Sequence, residues 1–136
     1  MMKTLVLVLM VLSLTACTTM RYGNFSQISE KSTELIVKES LIRLSSLYPP
    51  AKTKLFIVQP RDDFGLKLIK ALRQSGYSIS EEPSTKGAIK FFYVMDAPIQ
   101  NKLYRVTLYL GSKTLTRAYS IKKGTLRPIS LWARQE

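Results

Sequence analysis

The stretch that decides the fold is residues 53–80, TKLFIVQPRDDFGLKLIKALRQSGYSIS. Lys54-Leu-Phe-Ile-Val58 is a short apolar run rich in strand formers, with both faces apolar, which predicts a central strand. Asp62 or Asp63 then stands where a helix cap is wanted. Phe64, Leu68, Ile69 and Leu72 recur at helical spacing, while Lys67, Lys70 and Arg73 fall on the other side. Gly76 sits where a left-handed C-terminal cap is expected, and Tyr77-Ser-Ile-Ser80 alternates like a strand. The segment predicts a strand–helix–strand unit whose two strands run parallel if they share a sheet.

Upstream, Val37, Leu41, Leu44 and Tyr48 predict a helix from Ser32 to about Leu47, ended by Pro49-Pro50. Downstream, residues 81–87 (EEPSTKG) read as a polar loop, followed by strands at Ile89–Met95, Leu103–Leu110, Thr114–Ile121 and Leu126–Trp132. Turn signals separate them at Asp96-Ala-Pro98, Gly111-Ser112 and Lys123-Gly124. The expected fold class is α+β: a small single domain with two helices packed on a mixed, mostly antiparallel sheet.

The N-terminus carries an address. Lys3 precedes an apolar run, Leu5–Leu14, of ten residues, well short of the roughly 20 needed to span a bilayer. Leu14-Thr15-Ala16-Cys17 follows. A branched apolar residue, two small residues and a cysteine form the signature at which a lipoprotein receives diacylglycerol on sulfur, is cleaved, and is N-acylated. Two kinds of chain give stable anchoring where one alone would be reversible. Thr18, rather than an aspartate, follows the cysteine, which points to the outer membrane with the domain facing the periplasm. The expected organisation is a removed signal at 1–16, a lipidated N-terminus and flexible tether at 17–31, and a domain at 32–136.

Removing residues 1–16 of 136 leaves 120, one domain's worth. Cys17 is the only cysteine, so a disulfide within the domain is not expected. The formal charge is +12 for the whole chain and +11 without Lys3. The basic residues are dispersed rather than run together, which reads as a solvated basic surface and identifies no partner by itself. In a periplasmic setting an anionic membrane surface or acidic protein partners are favoured over nucleic acid.

The chain has no histidine, which excludes Ser-His and Cys-His nucleophile systems and the commonest metal ligand. An acid/base carboxylate pair stays open among Asp62-Asp63, Glu81-Glu82 and Asp96, although capping, solvation and a turn explain each locally. No phosphate-binding glycine loop occurs. The expectation is a protein without catalysis, metal or small-molecule substrate, whose sole non-protein groups are the acyl chains on Cys17. Partner-binding candidates are Tyr22 and Phe25 in the tether, and Arg105, Tyr109, Arg117 and Tyr119. The last four fall on one alternation class and would share a face of a hairpin, with a plain solvated face as the competing reading. Trp132 could be core or an exposed anchor.

Several segments together resemble the TrbH family of conjugal transfer lipoproteins: LTAC at 14–17, YGNF at 22–25, residues 47–79 with PPA-x-T and DDFG-to-GY, LYRV followed by RAY within 103–120, and LWARQE at the end. The resemblance implies a structural subunit of the mating-pair-formation apparatus of conjugative type IV secretion, anchoring core-complex partners at the outer membrane. The element order is also similar to the N-terminal ring domains of secretins. An envelope lipoprotein of another class, an assembly factor or an inhibitor of an acidic periplasmic protein, is the alternative.

Overall fold

In the computed structural model, which describes residues 21–57 and 62–136, the chain forms one eight-stranded sheet with two helices. Strand β1 is Gly23–Asn24, helix α1 Glu30–Leu47, and strand β2 Lys54–Ile57. Helix α2 (Asp63–Gln74) and strand β3 (Ser78–Ser80) complete the strand–helix–strand unit. Strands β4 (Ala88–Ile99), β5 (Leu103–Leu110), β6 (Lys113–Lys122), β7 (Thr125–Pro128) and β8 (Ala133–Gln135) follow.

The sheet order is β3-β2-β4-β5-β6-β7, with β1 beside β4 and β8 beside β6. β2 lies between β3 and β4, parallel to both, with Leu55 opposite Ile79 on one side and Ile89 on the other. The remaining long strands form antiparallel hairpins. The mixed α+β sheet expected from the sequence is therefore present.

Local chemistry explains each element. Ser29 caps α1 by accepting from the Ser32 backbone N–H at 3.2 Å, so the helix starts at Glu30, two residues before the start read from the apolar spacing. Ile36, Val37 and Leu44 are buried along it, with Leu41 and Tyr48 partly buried at its margin. Asp62 caps α2, and its stripe of Phe64, Leu68 and Leu72 is fully buried. Gly76 takes φ +95° after the helix, where a side chain would be strained.

Both helices cover one face of the sheet. Their buried side chains join Phe91, Tyr93 and Met95 of β4, Tyr104, Val106, Leu108 and Leu110 of β5, and Leu115 and Tyr119 of β6 in one core. Cross-strand register is consistent with this: Phe91 faces Leu110, Tyr93 faces Leu108 and Tyr104 faces Tyr119. Among the described residues no helix lies on the opposite face. None of the described helices is long and apolar enough to cross a membrane.

Three expected boundaries change. β4 runs through Asp96-Ala-Pro98 instead of turning there, with a register shift between Asp96 and Ile99. Pro98 cannot donate to the ladder, so the pairing slips at that point, and the chain reverses around Asn101 at φ 63°. The expected last strand, Leu126–Trp132, ends at Pro128 as β7, and a further short strand, β8, begins only after it at Ala133; the two pair with different halves of β6. Between them, Ile129 N–H donates to the Ala118 carbonyl and Ser130 Oγ accepts from Ala118 N–H. Finally, Gly23–Asn24, assigned to the tether by sequence, is paired parallel with Val94–Met95. Val58, the expected end of the strand β2, lies outside the described residues.

Candidate partner surface and the strapped N-terminus

The two-residue turn at Gly111-Ser112 decides which side chains share a face. It pairs Leu110 with Lys113, and the register continues as Tyr109 with Thr114, Val106 with Arg117, and Arg105 with Ala118. Residue numbers opposite each other then differ in parity. Arg105 and Tyr109 consequently occupy the open face, while Arg117 and Tyr119 occupy the helix-covered face. The expected four-residue patch does not exist. Across a two-residue loop, residues of equal parity fall on opposite faces of the hairpin.

On the open face, Tyr22 stacks on Phe92 with ring centroids 4.1 Å apart and meets Tyr109 edge-on at 5.6 Å. Tyr22 thus packs on its own domain, while Phe25 keeps 53% of its surface exposed. Arg105 grips Asp96 through Nε at 3.1 Å and Nη2 at 2.5 Å, which holds the guanidinium pKa above its ordinary value, chiefly through that hydrogen bond. Val94, Thr107, Thr114, Thr116 and Gln135 surround this pair in a shallow depression of about 360 Å³. It is polar, wide and floored by short side chains.

On the covered face, Arg117 and Tyr119 converge on Glu39 of α1. Glu39 Oε2 accepts from the Tyr119 hydroxyl at 2.5 Å and from Arg117 at 3.1 Å. Arg117 Nε also donates to the Ser130 carbonyl, and its guanidinium lies 5.8 Å from the ring centroids of both Tyr119 and Trp132. These contacts fasten α1 and the 129–132 segment to β6. Burial first, and the Glu39 hydrogen bond second, raise the Tyr119 pKa above its ordinary value. Glu39 was not singled out from sequence. Its only signal is a carboxylate beside the buried stripe at Ile36, Ser40 and Leu44. Trp132 is partly buried against the core, whereas neighbouring Leu131 is 86% exposed.

The carboxylates considered for acid/base chemistry are spread apart. Asp62 Oδ1 accepts from Gly65 N–H at 2.8 Å and from the Tyr93 hydroxyl at 2.5 Å, and Oδ2 accepts from Asn24 N–H at 2.9 Å. One side chain caps α2, satisfies a buried tyrosine and fixes β1. Burial and Asp62 together raise the Tyr93 pKa. Asp63 is exposed in the first helical turn, and Glu81 and Glu82 are exposed in the loop after β3. Gly65 completes the DDFG motif, because a Cβ there would collide with the Tyr93 hydroxyl. Cys17 lies outside the described residues.

Among known proteins, the family model for the conjugal transfer protein TrbH matches residues 19–136. No curated protein and no solved structure matches the chain. The match takes in β1, both helices and every strand of the sheet, and on that basis the chain belongs to the TrbH family of conjugal transfer proteins.

Proposed function

We propose that the protein is an outer-membrane lipoprotein acting as a structural subunit of a conjugative type IV secretion apparatus, where it anchors core-complex partners for plasmid transfer. The observation that carries this reading is the family match across the whole domain, directly after a lipoprotein processing signal at Leu14–Cys17. Two features support it. Polar groups such as Asp62 and Glu39 are used to hold helices and strands together, and Phe25 remains exposed for contacts. The function is tethering and assembly, with no catalytic step, and the acyl chains on Cys17 are its only non-protein groups. Thr18 after the cysteine favours the outer membrane over the inner. Two helices backing a mixed sheet also suit a domain that packs beside others in a ring, as in secretins.

The test is Cys17→Ser in a donor strain with palmitate labelling. The expected result is unlipidated precursor and loss of transfer. Labelling that persists in the variant overturns the anchor assignment.

A further inference from the structure

We propose that the open face of the sheet is a membrane-docking surface that lies on anionic phospholipid headgroups, so that the domain sits flat on the bilayer rather than hanging from a long tether. This rests on the lipidation of Cys17.

Chain length is the first support. Tyr22 is already seated on the open face, stacked on Phe92. Only five residue steps separate it from Cys17, a span of at most about 18 Å when fully extended. The expected tether to residue 31 is thereby shortened, because Gly23–Asn24 is a strand and Asn24 is held by Asp62. A lipid on Cys17 therefore holds the Tyr22 end of this face within about two Debye lengths of the headgroups.

Charge is the second support. Register and alternation put Lys54, Lys90, Arg105, Lys122 and Arg127 on the open face. Among the described residues the strands present one carboxylate there, Asp96, already held by Arg105. The other acidic side chains lie elsewhere: Glu30, Glu34, Glu39 and Asp63 on the helices, Asp62 at the α2 cap, Glu81 and Glu82 in the loop, and Glu136 at the end. The helix side is therefore mixed in sign and the sheet side is basic. Cations near an anionic leaflet are each attracted by its surface potential. Between them lie threonines, serines and Tyr109, together with Val94 and the nearly buried Phe56 and Phe92, the latter covered by Tyr22; the hydroxyl groups suit a hydrated headgroup layer.

The experiment uses the lipidated protein reconstituted sparsely in vesicles of phosphatidylglycerol and phosphatidylcholine, or of phosphatidylcholine alone, with lysine acylation read by mass spectrometry. Lys90 and Lys122 report the open face, and Lys38 and Lys70 report the helices. The expected result is labelling of Lys90 and Lys122 slower by about fivefold or more in the anionic vesicles, with Lys38 and Lys70 unchanged, and release of the protection by high salt. Lys122→Glu combined with Arg127→Glu, both exposed positions, should restore labelling of Lys90. Equal labelling on both sides overturns the proposal. So does protection that is the same in neutral vesicles or that follows protein density, which would mark a second copy on the face. Failure of the protein to float with vesicles at high salt would instead overturn the anchor itself.

Discussion

Replacing Asp62 by alanine removes three hydrogen bonds that belong to three different elements. The cap on α2 is lost where Gly65 N–H donated at 2.8 Å, which costs about 1 kcal/mol. The Tyr93 hydroxyl, on a side chain with no exposed surface, loses its hydrogen bond to the carboxylate, and a hydrogen bond to a charged group contributes about 1.5–3 kcal/mol. Asn24 N–H loses its partner as well, although that site is nearer solvent and adds less. The expected total is about 3 kcal/mol. Asp63→Ala removes only an exposed charge in the first turn of the same helix, worth about 0.5 kcal/mol. Urea unfolding of the processed chain, followed by far-ultraviolet circular dichroism, measures both. A double-mutant cycle sharpens the test, because Tyr93→Phe removes the hydroxyl that donates to Asp62. Asp62→Ala with Tyr93→Phe should be less destabilised than the sum of the single changes by about 1 kcal/mol or more. Equal losses for Asp62→Ala and Asp63→Ala, or strict additivity in the cycle, would refute the assignment of Asp62 as the shared acceptor.

Three further outcomes follow from the same geometry. Gly65→Ala should lower stability by about 1–2 kcal/mol, since overpacking against Tyr93 outweighs the helical preference for alanine; the same unfolding assay on Gly65→Ala with Tyr93→Phe should recover part of it. Glu39→Ala should cost about 1–3 kcal/mol, because it takes the acceptor from the Tyr119 hydroxyl and one of the acceptors from Arg117, whereas Lys67→Ala, which breaks exposed pairs with Glu30 and Glu34, should leave the unfolding midpoint unchanged. Thermal melts should also show alkaline sensitivity. Tyr93 and Tyr119 have folded pKa values raised above the ordinary 10.0, so their contribution is complete below pH 10. It falls above pH 10, as the unfolded state ionises and the folded state resists, by about 1.4 kcal/mol per pH unit for each tyrosine. Tyr93→Phe should reduce that slope.

Much of the architecture was legible because it follows from local rules. The apolar spacing of α2, its acidic cap and Gly76 specify that helix almost residue by residue, and the two short turns specify the hairpins. What could not be read depends on pairing over distance. β1 is two residues long and exists because its backbone finds the free edge of β4 beyond β2. Pro98 reads as a turn by itself, yet it is tolerated at a register shift within a long strand. The single face imagined for Arg105, Tyr109, Arg117 and Tyr119 fails on a parity that the Gly111-Ser112 turn already encodes. Asp62 and Asp63 are equivalent as sequence, and only the positions of Tyr93 and Asn24 distinguish them.

The central claim, a lipid-anchored subunit that holds transfer-apparatus partners at the outer membrane, is tested most directly by isolating the lipidated protein from mildly solubilised outer membranes of transfer-competent cells and weighing what accompanies it. The account predicts other subunits of the conjugation channel in fixed proportion to the protein. Recovery of the lipoprotein alone, from cells that transfer DNA normally, would contradict it.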